Sequence, residues 1–383
     1  MKSTNRLLSL DAFRGMTIAA MILVNTPGSW GHVYAPLRHA DWHGWTPTDL
    51  IFPFFLFIVG VAMTFSIQTR IGVDFKSDIY KKVIKRSVIL FLLGLLLNFY
   101  PFGIPFTSDG WSNFSFSSII DTFMDIRIMG VLQRISLCYL ISSVMIIYLT
   151  RRLQYYAAFG LLAIYATAML LYGNFTLEDN LARTIDLAIF SPSNMYTVQG
   201  LPFDPEGVLS TIPAVVTTLS GVFVGNMLRR HLSPREKAIQ LIIWGLSGIL
   251  LGNALNIMIP INKQLWTPSY VFLTSGWACL ILSIFYWLME IKNIKSWAKP
   301  FIVFGSNSII VFVASGILVT TILKIKIHLN DGSITSLYNW IYKYLFVSWA
   351  EDLNGSLFFA ITWILLWLGV LWILYIRKIF IKI

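Results

Sequence analysis

The chain has 383 residues, of which 56% are hydrophobic and only 12% charged, and a formal net charge of +11. That much apolar surface exceeds what one soluble core could bury, so the composition excludes an ordinary soluble enzyme and makes a lipid bilayer the solvent. The apolar runs recur to the end without a long polar linker and without period-two alternation. Residues 1–383 therefore read as a single all-α domain, a polytopic helical bundle rather than a closed barrel.

Windows of about 20 residues give spans near 12–26, 47–68, 83–101, 126–149, 153–172, 208–229, 236–259, 267–289, 297–322 and 357–376, about ten in all. The aromatic stretch from Leu337 to Ala350 is too short for another span and reads as an interfacial helix or hairpin. Asp11 and Arg14 interrupt any signal-peptide core, so the first span is expected to be retained, with no large extracytoplasmic portion before it. Cys138 and Cys279 fall inside spans and read as small buried hydrophobes, offering neither a disulfide framework nor a metal cluster.

Basic residues set the expected orientation. With the N-terminus inside, Lys2, Arg6, Arg70, Lys81, Lys82, Lys85, Arg86, Arg229, Arg230 and Lys382 are among the cytoplasmic cations, whereas few Lys and Arg fall in the opposite loops. Both termini are then cytoplasmic. Most acids, such as Asp109, Glu178 and Asp204, lie outside. The positive charge is a topology signal, and no nucleic-acid partner is expected.

Several polar residues stand where lipid would reject them. Arg14 follows Asp11 by three residues on one helix face, either as an ion pair or as a snorkelling anchor. Asn25 ends the first span, and the sequence leaves open whether it caps that helix or donates to a developing oxyanion. The loop that follows holds His32, His39 and His43, three of the chain's five histidines, with Asp41 beside them. His39 and His43 have the spacing of metal ligands on a helix, but no Cys or Glu completes a set, and no metal is expected.

Thr46-Pro47-Thr48-Asp49 can be a helix start with Asp49 as the capping-box acid, or Asp49 can serve the histidines. In the fourth span Arg127 and Arg134 are seven apart, on one helical face. Arg134 is deep enough to need an anionic ligand, a cavity network or a carboxylate such as Asp11 or Asp49. Later spans add Asn253, Asn256, Ser306, Asn307 and Ser308 as groups that line a cavity or bond across helices. No phosphate-binding loop, nucleophile elbow or dinucleotide fingerprint occurs in a credible context.

Together the blocks Leu8-Ser9-Leu10-Asp11-Ala12-Phe13-Arg14-Gly15, His39-Ala40-Asp41-Trp42-His43-Gly44 and Thr48-Asp49-Leu50-Ile51-Phe52-Pro53 carry a family pattern. It continues through Gly130-Val131-Leu132-Gln133-Arg134-Ile135, Asp204-Pro205-Glu206-Gly207, Pro260 to Thr267 and Gly305-Ser306-Asn307-Ser308. In this order the chain resembles the transmembrane catalytic region of the heparan-alpha-glucosaminide N-acetyltransferase family and its bacterial relatives.

The resemblance implies a multi-pass enzyme of the bacterial inner membrane that transfers an acetyl group from cytoplasmic acetyl-CoA to the amine of a glucosamine-type sugar outside. It implies His39 as the catalytic histidine and Asn25 as an active-site asparagine, and it suggests a homodimer. The chemistry fits those residues, because an amine attacking a thioester must lose a proton, which a histidine accepts near neutral pH, while the oxyanion needs a donor such as Asn25.

Asp49 is then expected to support the histidine. Arg14, Arg134, Gln133 and Asn307 are expected to contact the donor, and Asp41, His43, Glu206, Lys263 and Trp266 the acceptor. His39 can act as general base or as nucleophile. An amino-sugar transporter and an O-acyltransferase of cell-envelope glycans are the competing readings.

Overall fold

The computed structural model describes residues 7–71, 75–106 and 115–381. Lys2, Arg6, Asp109 and Lys382, all used above for orientation, lie outside the described residues. The chain is predominantly helical. In order it forms α1 (Leu8–Asn25), α2 (Ile51–Ser66), α3 (Lys76–Phe99), α4 (Phe116–Met124), α5 (Val131–Tyr148), α6 (Arg151–Tyr172), α7 (Leu181–Ile189) and α8 (Val208–Leu228). There follow α9 (Pro234–Leu255), α10 (Pro268–Tyr286), α11 (Lys299–Ser306), α12 (Ser308–Lys324), α13 (Leu337–Ile341) and α14 (Ser348–Ile376).

Among the described residues eight helical segments are long and apolar enough to cross a membrane, and α11 with α12 makes a ninth if that bent pair is one span. The predicted windows all fall on helices, although α3, which carries the window 83–101, is not one of these eight, and two windows are corrected. The window 126–149 becomes a helix only at Val131, because Gly130 is fully extended (φ 173°, ψ −178°), so Arg127 does not share a helical face with Arg134. The window 297–322 is broken at Asn307, where the axis turns by 69°. Local sequence explains several helix starts: Ser233 accepts from the Glu236 N–H while Glu236 reaches back and Pro234 fills the first position, a full capping box.

Lipid supplies no hydrophobic force between helices, so their association rests on close van der Waals contact, which small residues permit. The chain follows that rule in three tight pairs, α1 with α11, α2 with α8 and α9 with α10. At Gly60 of α2 an added Cβ would lie 1.9 Å from the Thr218 carbonyl oxygen of α8, and at Gly15 of α1 it would lie 1.6 Å from that of Phe301 in α11. The backbones touch there.

Helix α2 is the hub. It packs on α1, α5, α8 and α10, and its buried Leu56, Phe57 and Ile58 join two of the core clusters. Between its first residue and the end of α1 runs the histidine loop, whose regular structure is one 3-10 turn at Ala35–Leu37 and another at Pro47–Leu50.

The long loop before α8 contains α7 and the antiparallel pair β1 (Thr197–Val198) and β2 (Leu201–Pro202). The hairpin β3 (Lys326–His328) with β4 (Ile334–Ser336) precedes α13. The short helix α13 continues as a wide turn over Tyr342–Val347, and the chain kinks at Glu351 (φ 61°) before the apolar run of α14. Leu337 to Ala350 is thus a separate short element, and both cysteines are buried and unpaired.

Candidate active site

Asp49 is held by its own turn. Thr46 caps the turn, Pro47 opens it, and Asp49 Oδ2 accepts from the backbone N–H of Thr46 (2.9 Å) and of Ala40 (3.1 Å). Oδ1 is left to face His39 Nδ1 at 2.7 Å. The two readings of Asp49 are therefore simultaneous, one oxygen capping the turn and the other serving the histidine. A carboxylate so close to Nδ1 keeps the proton on that nitrogen and leaves Nε2 as the lone-pair acceptor, the form a general base requires. Asp49 is 1% exposed, whereas the His39 side chain is 38% exposed, so a buried acid orients an accessible ring.

A third group comes from far away in the chain. Lys263 Nζ lies 3.5 Å from Asp49 Oδ1 and 3.0 and 3.4 Å from Nδ1 and Nε2 of His39. Burial lowers the Lys263 ammonium below the ordinary lysine range, against the opposing pull of Asp49 and Glu206. Its loop is clamped to the histidine loop: Gly44 N–H donates to the Ile261 carbonyl (2.7 Å), and the fully buried Asn262 donates to the Trp42 carbonyl (2.9 Å).

His39 and Lys263 form part of the wall of a chamber of about 340 Å³, together with Asn25, Tyr196, Glu206 and Gln264. Asn25 is exposed at the end of α1, and its amide makes no hydrogen bond to any described residue, so it faces the chamber without capping its helix. Tyr196 and Gln264 were not among the expected site residues. Nothing local marks Tyr196, which sits in an irregular loop, and Gln264 is marked only by lying in the Pro260 to Thr267 block.

Arg127 also reaches the chamber wall, but its charge is taken up. It forks onto Asp204 (3.0 and 2.7 Å), reaches Glu206 Oε2 at 2.6 Å and stacks 4.7 Å from the Tyr196 ring centroid. Burial works against its charged form, yet the bonds and charges of Asp204 and Glu206 outweigh this and raise the guanidinium above its ordinary range.

Arg134 is fully buried, donates to the Gly207 carbonyl (3.1 Å) and to Ser210 Oγ, and lies 5.1 Å from the Trp266 ring. Its hydrogen bonds go to neither Asp11 nor Asp49. Nearby, Asp186 accepts from the first N–H of α8, Val208 (2.9 Å), and burial pushes its carboxyl up to about 6.

The remaining expected residues divide. Glu206 and Lys263 join His39, Asn25 and Asp49 at one place. Asp41 is exposed on the loop, and His43 contacts Asn262 (3.3 Å) behind it. Trp266, 1% exposed with φ 54°, is a pillar that bonds Thr217 Oγ1 (3.0 Å) and stands outside the chamber lining. Gln133 is buried where Gly94 and Gly130 leave room for its amide. Asn307 uses its amide on the returning C-terminal segment, donating to the Ile379 carbonyl (3.0 Å) and accepting from Ile381 N–H (2.9 Å).

Arg14, ion-paired with Asp11 at 3.5 Å, lines a second cavity of about 530 Å³. That cavity shares Phe55, Leu132, Ile135, Ser308 and Ile309 with the His39 chamber. It shares Ser66, Arg86 and Tyr139 with a third of about 500 Å³, where Arg70, Lys82 and Lys85 gather. The three follow α2 from Ile51 to Ser66, about 22 Å at 1.5 Å per residue, and continue past its end to Arg70.

The family model described as "Heparan-alpha-glucosaminide N-acetyltransferase, catalytic" matches residues 6–257. The chain is similar to heparan-alpha-glucosaminide N-acetyltransferase from Mus musculus, 28% identical with 82% of this chain and 54% of the relative covered. It is 26% identical to the protein of the same name from Homo sapiens, with 80% and 52% covered. The chain thus spans about half the length of these curated relatives. The matched family region includes His39, Asp49, Arg127 and Glu206 and ends before Lys263.

Proposed function

The chain belongs to the heparan-alpha-glucosaminide N-acetyltransferase catalytic family, and from that premise we propose that it is a membrane enzyme moving the acetyl group of acetyl-CoA to the amine of a glucosamine-type sugar. The observation that carries this reading is the string of cavities along α2, with a cluster of cations at one end and a carboxylate-oriented histidine at the other. We assign the cationic end to the cytoplasm on the distribution of Lys and Arg, which leaves His39 facing outward.

The residues suit a long polyanionic donor. Arg86, which lines both the second and the third cavity, stacks 4.8 Å from the Tyr139 ring, and its buried Nε has no hydrogen-bond partner among the described residues. Arg70, Lys85 and Arg86 would hold phosphates there, and the thin arm would pass beside Phe55, Leu132, Ile135, Ser308 and Ile309, which line both the second cavity and the His39 chamber. Acetyl-CoA, when bound, supplies the electrophilic acetyl carbon and a thiolate leaving group. Arg134 is kept for the frame, since its surroundings give it no access to the cavities.

At the outer end His39 Nε2 takes the acceptor's proton, Asp49 steadies the resulting imidazolium through Nδ1, and Asn25 offers its amide to the oxyanion. Glu206 holds the acceptor from the opposite wall, with Tyr196 as an apolar platform for its ring. We favour direct transfer over an acetyl-histidine intermediate.

Purified protein in liposomes, given labelled acetyl-CoA on one side and glucosamine on the other, tests the proposal. N-acetylglucosamine formed across the membrane supports it. Sugar flux without acetylation would establish a transporter instead, and labelled ester on hydroxylated glycans but no amide would establish an O-acyltransferase.

A further inference from the structure

Lys263 is the group nearest the proposed base that the proton transfer just described does not use. Resting on the acetyltransfer reading above, we propose that Lys263 is the proton donor to the departing thiolate, and that its contact with His39 resets both residues after each turnover.

The geometry supplies the argument. One carboxylate, Asp49, faces two nitrogen bases: Nδ1 of His39 at 2.7 Å and Nζ of Lys263 at 3.5 Å. In the resting state the ammonium offsets Asp49 and the imidazole is neutral. When Nε2 takes up the acceptor's proton, an imidazolium and an ammonium stand side by side with a single carboxylate between them. That like-charge pair is relieved if Lys263 gives up a proton, and the sulfur that has just gained an electron pair is the group in need of one.

The proton balance closes within the site. The nitrogen–carbon bond forms as the carbon–sulfur bond breaks, with the bonding pair leaving on sulfur. The acceptor's proton goes to Nε2 of His39, and a proton from Nζ of Lys263 goes to sulfur. Nε2 then passes its proton to the Lys263 amine across their 3.4 Å contact. The products are an amide and a free thiol, and the residues return to their starting state. Burial, which makes the Lys263 ammonium a stronger acid than a lysine in water, supports the same role.

The position is also fixed in a way that a surface lysine's is not. The residues on either side of Lys263 are fastened. Asn262 accepts from the Leu265 N–H (2.8 Å), its own N–H donates to Thr267 Oγ1 (3.0 Å), and Trp266 N–H closes a turn on the Lys263 carbonyl (3.2 Å). The Lys263 side chain itself lines the chamber that His39 lines.

The experiment compares the wild type with Lys263→Met and Lys263→Arg, each as the full chain in liposomes, on two donors. With acetyl-CoA, both substitutions should lower kcat about 10²-fold, the ordinary contribution of a positioned acid. With acetyl-seleno-CoA, whose selenolate leaves without a proton, both should fall within about threefold of wild type.

A second readout needs no turnover. By calorimetry, wild type should bind CoA about tenfold more tightly than desulfo-CoA, and Lys263→Met should bind the two alike. Equal losses on both donors, or a CoA to desulfo-CoA ratio unchanged in Lys263→Met, would overturn the proposal. Should Lys263→Met fail to fold, Lys263→Arg, which keeps the charge but cannot release a proton, still carries the comparison of the two donors. Wild type that acetylates glucosamine from neither donor would instead defeat the underlying acetyltransferase reading.

Discussion

Arg127 and His39 meet the same chamber, yet their surroundings differ in kind. Arg127 is met by oxygens of two carboxylates through Nε and Nη2 and stacked on a tyrosine, so its charge is compensated by two acids. His39 is met by one carboxylate oxygen on Nδ1, with the Lys263 amine 3.0 Å from that nitrogen and 3.4 Å from Nε2, and its ring is partly open. The first arrangement makes a brace tying the segment before α5 to the segment before α8. The second leaves a group able to take a proton. Buried charge in a bundle can thus serve frame or chemistry, and the number of satisfied directions around it separates the two uses.

Substitutions in the two regions should diverge accordingly, with activity falling on one side and stability on the other. The largest effect expected is that of His39→Ala, which should lower acetyl transfer by more than about 10³-fold while the melting temperature in detergent and CoA binding stay near wild type. A well-folded His39→Ala protein with full activity would sink the assignment.

Arg127→Ala should act first on stability, and on turnover only through Glu206 and Tyr196, which it holds in place. It leaves Asp204 and Glu206 buried without their cation, at a cost of about 3–5 kcal/mol read by denaturation. Should Arg127→Ala keep its stability and lose only turnover, the distinction between brace and site fails.

Asp49→Asn sharpens the contrast within the site itself. An amide at 49 can still accept the Thr46 and Ala40 N–H groups through its oxygen, so the turn survives. Its NH₂ would donate to His39 Nδ1 and drive the ring proton onto Nε2, the nitrogen that must be free. The kcat should fall about 10²-fold, with a loss of stability because the Lys263 ammonium loses its carboxylate, and ¹⁵N NMR of labelled histidine would report the changed tautomer.

The smallest effect belongs to Asp186, in the frame. Its carboxyl is raised to about 6 by burial, from the usual 3.8. The folded state therefore binds this proton more tightly than the unfolded state. The resulting stability is fully present below about pH 4 and is lost as pH rises through 6. The shift corresponds to roughly 3 kcal/mol at most. Wild type should melt at a lower temperature at pH 7.5 than at pH 5, and Asp186→Asn should flatten that slope without altering the pH profile of turnover.

How much of this was legible in the sequence varies by residue. The helical windows were, because a continuous apolar run of 18 or more residues has few alternatives in lipid. The Thr46 to Asp49 turn was legible as a cap, since a capping box is an i to i+3 pattern, but its second oxygen's target was not. Arg127 was placed on a helix because its neighbours are apolar, and the extended Gly130 is what removed it. Asn307 read as a group that lines a cavity or bonds across helices, and which partner it takes, the C-terminal segment more than seventy positions on, was not legible. Tyr196 carried no local signal, and Gln264 was marked only by lying in the Pro260 to Thr267 block.

The sequence by itself determined that the chain is a membrane-embedded helical bundle, that it carries the ordered blocks of its family, and that His39 and Asp49 fall in one short loop at a helix start. Those features depend on residues within about a dozen positions of each other, where periodicity and capping act directly. Only the tertiary structure decided which carboxylates meet Arg127, that Arg134 is sealed against Trp266, and that Lys263, 224 positions away, lies against His39. Such pairings are fixed by which helices touch and at what height, and glycine seams and clamped loops set that in three dimensions with no trace in local spacing.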